Sequence, residues 1–118
     1  MQYDLGDRTI KFSKNVVKLL KTIKQSSINR NIISQLLRSA TSIGANYCEA
    51  NNASSKKDFR NKMYISKKEI QETKYWIELL AETNKEKKKE LRVLWQEAHE
   101  LSLIFNKICN SLNKKSKF

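Results

Sequence analysis

Residues 32–51, IISQLLRSATSIGANYCEAN, and residues 56–80, KKDFRNKMYISKKEIQETKYWIELL, decide the fold. In the first, Ile33, Leu36, Ala40, Ile43, Tyr47 and Ala50 recur at alternating spacings of three and four. That spacing places them on one face of a helix. In the second, Phe59, Met63, Ser66, Ile70, Thr73, Ile77 and Leu80 do the same. The polar break Asn51–Ser55 joins the two, and Ser55-Lys-Lys-Asp58 is a near capping box that opens the second helix. Together they predict a helical hairpin.

Each helix carries a further stripe. In the first it is Ser39, Ser42, Asn46 and Glu49, small or polar side chains that allow a close neighbour and need hydrogen-bond partners wherever they are buried. In the second it is Ile65, Glu69, Glu72, Trp76 and Leu79. Apolar residues on two faces imply contact from two sides, so Ile65, Trp76 and Leu79 belong either to a subunit interface or to a wide bundle face. The two polar stripes are expected to meet across a helix pair or a subunit boundary. Gly44 lies inside the first helix at a cost of about 1 kcal/mol against alanine. Close packing or a slight bend accounts for it.

Working outward, a helix is expected over residues 7–23, capped by Asp4 or Asp7, with Ile10, Phe12, Val16, Val17, Leu19, Leu20 and Ile23 as apolar positions. Lys11, Lys14, Lys18 and Lys21 line one of its faces, and no acidic residue lies between Arg8 and Arg38. That line is either a solvated outer face or a rail for phosphates. Residues 24–30, KQSSINR, have loop chemistry, and the next helix is expected over 31–51. The third is expected over 56–82. Thr83-Asn-Lys-Glu86 resembles a capping box for a fourth over 85–113, whose seam is Leu91, Leu94, Ala98, Leu101, Phe105, Ile108 and Leu112. Lys85, Lys87, Lys88 and Lys89 crowd its first turn, where the helix dipole disfavours cations. A requirement other than helix stability keeps them there. From Lys114 the tail is expected to fray.

The whole reads as one all-α domain of 118 residues, an up-down-up-down antiparallel four-helix bundle. It has no proline and only two glycines, Gly6 and Gly44, which is poor in the residues that sheets and irregular folds use to turn. The start MQYDLGDRTIKF lacks a signal-peptide core, and no apolar run reaches the roughly 18 residues of a membrane span. Two cysteines, Cys48 and Cys109, are too few for a disulfide framework, so reduced thiols in a cytoplasmic protein are expected.

Catalytic signatures are missing. His99 is the single histidine, Gln96 stands three residues before it, and Glu69 and Glu72 have no second set of ligands, so neither a metal nor another cofactor is expected. There is no phosphate-binding glycine loop and no nucleophile–base–acid set, so the protein is not expected to be an enzyme. The net charge of +12 instead favours polyanions, RNA or DNA, although a lysine-rich composition also follows from base composition alone. Lys11, Lys14, Lys18 and Lys21 are the first candidate phosphate contacts, and Arg38, Lys56, Lys57 and Arg60 near the turn are the second. Arg38 and Lys57 have a structural reading beside the phosphate one. No aromatic residue punctuates these stretches at regular spacing, so base stacking is not expected. Membrane attachment is not expected, because helix one has no apolar face free of the core.

The hairpin resembles the four-helix-bundle proteins encoded by intervening sequences of bacterial 23S ribosomal RNA genes. The resemblance is carried by Arg38-Ser39-Ala40, Ser42 to Tyr47 and Glu49-Ala50. After the turn it continues in Ser55 to Phe59, Glu69, Glu72 and Tyr75 to Leu80. It implies a non-enzymatic homo-oligomer, typically a ring-like pentamer with a basic surface, that binds nucleic acid. A related branch implies a protein partner, the reverse transcriptase of diversity-generating retroelements. The chain departs from many members at Gly44, where they carry proline, and at Asn51, where they carry glycine; both bear on helix geometry. A protein-interaction scaffold without intrinsic nucleic-acid binding is the alternative function.

Overall fold

A computed structural model describes residues 4–116. Four α-helices follow one another, α1 (Leu5–Leu20), α2 (Ser27–Asn51), α3 (Lys56–Thr83) and α4 (Lys88–Ser116), with a short 3-10 turn, Lys85–Lys87, before the last. No strand occurs among the described residues. The backbone of each helix packs on its two neighbours, and across the α2–α4 diagonal the Tyr47 and Phe105 rings meet edge-on, 5.9 Å between centres. The α2–α3 contact is the most extensive and the α1–α4 contact the thinnest. This is the expected antiparallel four-helix bundle.

Side-chain chemistry sets the helix starts. Asp4 Oδ1 accepts from the Gly6 and Asp7 amides and opens α1. Ser26 Oγ accepts from the Asn29 amide at 3.0 Å, and Ser55 Oγ from the Asp58 amide at 3.0 Å. Each replaces an intrahelical partner that the first turn lacks. The Ser26 cap starts α2 at Ser27, four residues before the expected Asn31, so half of the anticipated linker is helix. Helix α1 ends at Leu20, and Thr22 and Ile23 form a turn that still buries Ile23. Thr83 does not cap α4: it ends α3, and its hydroxyl donates to Asn29 Oδ1 at 3.0 Å. The tail expected to fray from Lys114 is helical as far as Ser116; Lys117 and Phe118 lie outside the described residues.

The seams meet in one core, with Phe12, Leu36, Ile43, Met63, Ile70, Ile77, Leu80, Leu91, Leu101 and Phe105 fully buried. Near the end of α4, Cys109 and Ser102 are buried, and Ile108 and Leu112 only partly so. A helix has 3.6 residues per turn, so a strict three–four seam drifts off the core over the roughly six turns from Leu91 to Leu112. Thr9 packs on Gly44: a Cβ at Gly44 would stand 3.0 Å from Thr9 Oγ1 and 3.2 Å from Thr9 Cβ. The glycine therefore lets α1 lie close against α2.

Candidate functional site

The buried face of α1 is Thr9, Phe12, Val16 and Leu20. At 100° per residue, Lys11, Lys14, Lys18 and Lys21 fall on the opposite face. All four are exposed, and none pairs with a carboxylate among the described residues. From Lys11 to Lys21 the rail spans about 15 Å. That is about four phosphates along one strand of a duplex. The rail is fixed to the bundle from its α4 side, where Arg8 Nε and Nη2 donate to the carboxylate of Glu97 at 2.6 and 2.8 Å and Nη2 also to Glu100 at 2.9 Å.

The second basic group does not join the rail. Lys56 and Lys57 are exposed and Arg60 half-buried in the first turns of α3, the helix diagonal to α1. Arg38 is committed elsewhere. Its Nη1 lies 3.2 Å from Glu69 Oε1 and its Nη2 binds Glu72 Oε1. Glu72 Oε1 also accepts from Trp76 Nε1 at 3.2 Å. Two carboxylates thus share the one guanidinium, which engages donors that a phosphate would otherwise use.

The two polar stripes, expected to meet, bond past each other across the α2–α3 pair: Glu69 and Glu72 take Arg38, Ser39 takes the seam residue Thr73, and Glu49 takes Lys62. Thr73 Oγ1 stands 3.0 Å from Ser39 Oγ, and Ser66 Oγ donates to the Ile43 carbonyl at 2.9 Å. Lys62 Nζ reaches Glu49 Oε1 at 2.7 Å, and that hydrogen bond and charge raise the Lys62 pKa above its ordinary value. Ser42 and Asn46 bond instead to their own helix, at the carbonyls of Arg38 and Ser42. Ile65, Trp76 and Leu79 are half-buried within the chain, and the adjoining Tyr75 is exposed, its ring edge-on to Trp76 at 4.9 Å.

The fold brings to the rail a group that the sequence separates from it by more than sixty residues. A cleft between α1 and α4 is lined by Lys18, Leu19 and Thr22 on one side and by Lys87, Glu90 and Val93 on the other. On the far side of the start of α4, a second cleft holds Lys88, Arg92 and Trp95. Of the lysines that crowd this helix start against its dipole, Lys87 therefore faces the α1 rail across a cleft and Lys88 lines the cleft beyond, whereas Lys85 pairs with Glu82. That crowding was the available signal; the adjacency of α1 and α4 supplies its meaning.

Among the described residues no three side chains of the His, Cys, Asp and Glu types converge as metal ligands. No helix among them is long and apolar enough to cross a membrane.

The family model described as 23S rRNA-intervening sequence protein matches residues 2–107. The chain belongs to this family. Among solved structures, the chain is similar to a protein of unknown function from the S23 ribosomal protein family of Bacteroides thetaiotaomicron VPI-5482. The two are 34% identical with a TM-score of 0.79, over 90% of this chain and 98% of that one. No match is found among curated proteins. As a 23S rRNA-intervening sequence protein, the chain thus has the family's bundle, with a lysine rail on its first helix.

Proposed function

We propose that this chain is a non-enzymatic, oligomeric nucleic-acid-binding protein that grips RNA or DNA through backbone phosphates. The observation that carries this reading is the α1 rail, four exposed lysines with no carboxylate partner among the described residues. Lysines on one rigid helix place point charges at fixed intervals, and phosphate contacts of this kind give affinity without sequence readout. Lys87 and Lys88 lengthen the same path. Lys56, Lys57 and Arg60 form a separate, weaker patch.

A surface suited to assembly supports the same reading. Tyr75 is 56% exposed against Trp76, and half-buried Leu79 and Ile65 lie further along the same helix, a surface suited to another copy of the chain. Several rails on one ring turn weak phosphate contacts into useful avidity. The pentamer implied by the family resemblance fits a chain with this surface.

The test is a binding titration against structured RNA, single-stranded RNA and duplex DNA at several salt concentrations, with the mass of the protein measured in parallel. Affinity should fall steeply with salt. Replacing Lys11, Lys14, Lys18 and Lys21 by alanine should lower the logarithmic salt slope by about three. An oligomer that binds no polyanion at low salt would sink the proposal and favour a scaffold for a protein partner, such as a reverse transcriptase.

A further inference from the structure

The cleft between α3 and α4 combines three features absent from the rail. It has a volume of about 430 Å³, an apolar floor of Ile77, Ala81 and Leu91, and an indole wall, Trp95. Lys88 and Arg92 stand at its edge, and neither pairs with a carboxylate among the described residues. Lys88, Arg92 and Trp95 are spaced four and three on α4, so one helix face presents two cations and then an aromatic ring.

The indole is held in place before any ligand arrives. His99 stacks on it, with ring centres 5.2 Å apart and planes 9° from parallel. Lys74 Nζ lies 4.7 Å from the Trp95 ring centre and 3.1 Å from His99 Nδ1, so both groups cover the same side of the indole. Trp95 Nε1 donates to Glu78 Oε2 at 3.1 Å, which fixes the ring in its plane and occupies the one carboxylate lining the cleft. Neither His99 nor Lys74 lines the cleft. Lys88, Leu91 and Arg92 of the cleft precede Trp95 along α4 and His99 follows it, so the helix order puts the cleft toward the indole's other side.

From this geometry we propose that the α3–α4 cleft is a subsite for one unpaired nucleotide of a single-stranded nucleic acid. The base stacks on Trp95, and the flanking phosphates meet Arg92 and Lys88. The inference rests on the phosphate-binding reading above and deepens it. The ligand chemistry follows from the lining: a flat apolar ring for the indole and floor, and an anion about one helical turn away for the cations. A base inside a duplex has both faces covered by its neighbours, so only an unpaired one fits. A strand, rather than a free nucleotide, is the occupant because the cations are continuous with the rail. Lys87 and Lys88 are consecutive, one facing each cleft, so a strand that leaves Lys18 crosses the start of α4 into the Trp95 cleft. The ring is prefixed, so little ordering cost offsets the stacking.

The experiment compares wild-type protein with Trp95→Leu and with the rail variant, using a single-stranded oligonucleotide, a duplex and an abasic single strand of equal length. Indole fluorescence and affinity are both read. The single strand should quench the emission, and the quench should vanish in Trp95→Leu. Affinity for the single strand should drop about tenfold in Trp95→Leu. Duplex affinity should stay within about twofold. The abasic strand tests the subsite on wild-type protein, free of any folding effect: it should bind about tenfold more weakly than the natural strand and leave the fluorescence unchanged. Salt-dependent binding with equal affinity for natural and abasic strands and no quench would overturn the subsite and leave the rail standing. Quenching that survives in the rail variant at full affinity would overturn the rail and keep the cleft. A free nucleoside monophosphate that quenches as tightly as the strand would overturn the assignment to a polynucleotide.

Discussion

Asn29 and Asn84 exchange two amide hydrogen bonds, Asn29 Nδ2 to Asn84 Oδ1 at 2.9 Å and Asn84 Nδ2 to Asn29 Oδ1 at 3.0 Å. Asn29 lies in the first turn of α2 and Asn84 in the link after α3, so the pair ties two chain connections together at one end of the bundle. The remaining capacity is also used. Asn29 Nδ2 donates to the Lys24 carbonyl at 2.9 Å, and Asn84 Nδ2 donates to the Leu80 carbonyl at 3.1 Å, closing the last turn of α3. Both amides are buried. Removing either leaves its partner short of hydrogen bonds in a dry place, which costs about 1–3 kcal/mol. Asn29→Ala and Asn84→Ala should each lower stability by that amount in a denaturant melt. The double variant should lose at least about 0.5 kcal/mol less than the sum. Additive losses would mean that the two amides act separately.

Gly44→Ala sets two effects against each other. Alanine gains about 1 kcal/mol in helix propensity. The new methyl meets Thr9 Oγ1 at 3.0 Å and Thr9 Cβ at 3.2 Å. Thr9 is buried and its hydroxyl is held by the Gly6 carbonyl at 2.8 Å, so it has little room to retreat. Overpacking of this kind costs about 1–3 kcal/mol, so the variant should be less stable by up to about 2 kcal/mol. Introducing Thr9→Ala first removes the nearer contact, and the penalty for Gly44→Ala should shrink in that background. An alanine that raises the melting temperature in both backgrounds would show that α1 and α2 are not held at this distance.

Much of this architecture is legible in the sequence because it depends on periodicity, and periodicity is local. The α2 and α3 seams and the Ser55 cap follow from spacing alone, whereas Gly44 signals either close packing or a bend until Thr9 is seen against it. What escapes is set by partners distant in the chain. KQSSINR has loop composition, but Ser26 finds an amide to cap and Asn29 finds Asn84, and together they draw the helix start back to Ser27. Thr83 has the spacing of a cap and is used to hold Asn29 instead. The same limit applies to the site. Four lysines on one helix are visible as a pattern, whereas the continuation through Lys87 and Lys88 to Trp95 exists only once α4 lies beside both α1 and α3.

Arg38 should separate stability from binding. Its side chain is 46% exposed, and it is paired with Glu69, which is nearly buried, and Glu72. Arg38→Ala leaves two neighbouring carboxylates without their shared cation. A loss of about 1–3 kcal/mol is expected, less than for a fully buried pair because solvent screens Glu72. Glu69→Gln in the Arg38→Ala background removes one of the opposed charges and should recover part of that loss. Polyanion affinity should stay within about twofold in the folded Arg38→Ala protein. Lys14→Ala should do the reverse, weakening polyanion binding with the melting temperature unchanged. A steep affinity loss in Arg38→Ala would return this residue to the phosphate-binding set.

The two cysteines should differ in reactivity and in their effect on stability at high pH. Cys48 is exposed and Cys109 buried in the core. Burial pushes the Cys109 thiol above its ordinary value of 9.0, and the nearby Lys67 charge only partly offsets this. The thiolate is the reactive form, so at pH 8 a thiol reagent should label one cysteine, Cys48, in the folded protein and both in denaturant. The linkage has a definite sign. Well below pH 9, at about pH 8 and lower, both folded and unfolded chains keep nearly all of the Cys109 proton, and this residue contributes little pH dependence. Above it the unfolded chain releases the proton first, the folded chain binds more protons, and stability falls as pH rises until the folded thiol also ionises. One proton gives at most about 1.4 kcal/mol per pH unit. Cys109→Ala should therefore cost stability at pH 7 through the lost sulfur and flatten the decline above pH 9, when both proteins are melted across pH 7–10.5. An unchanged decline would assign it to the lysines and tyrosines, and rapid native labelling of both thiols would mean that the end of α4 opens readily around Cys109.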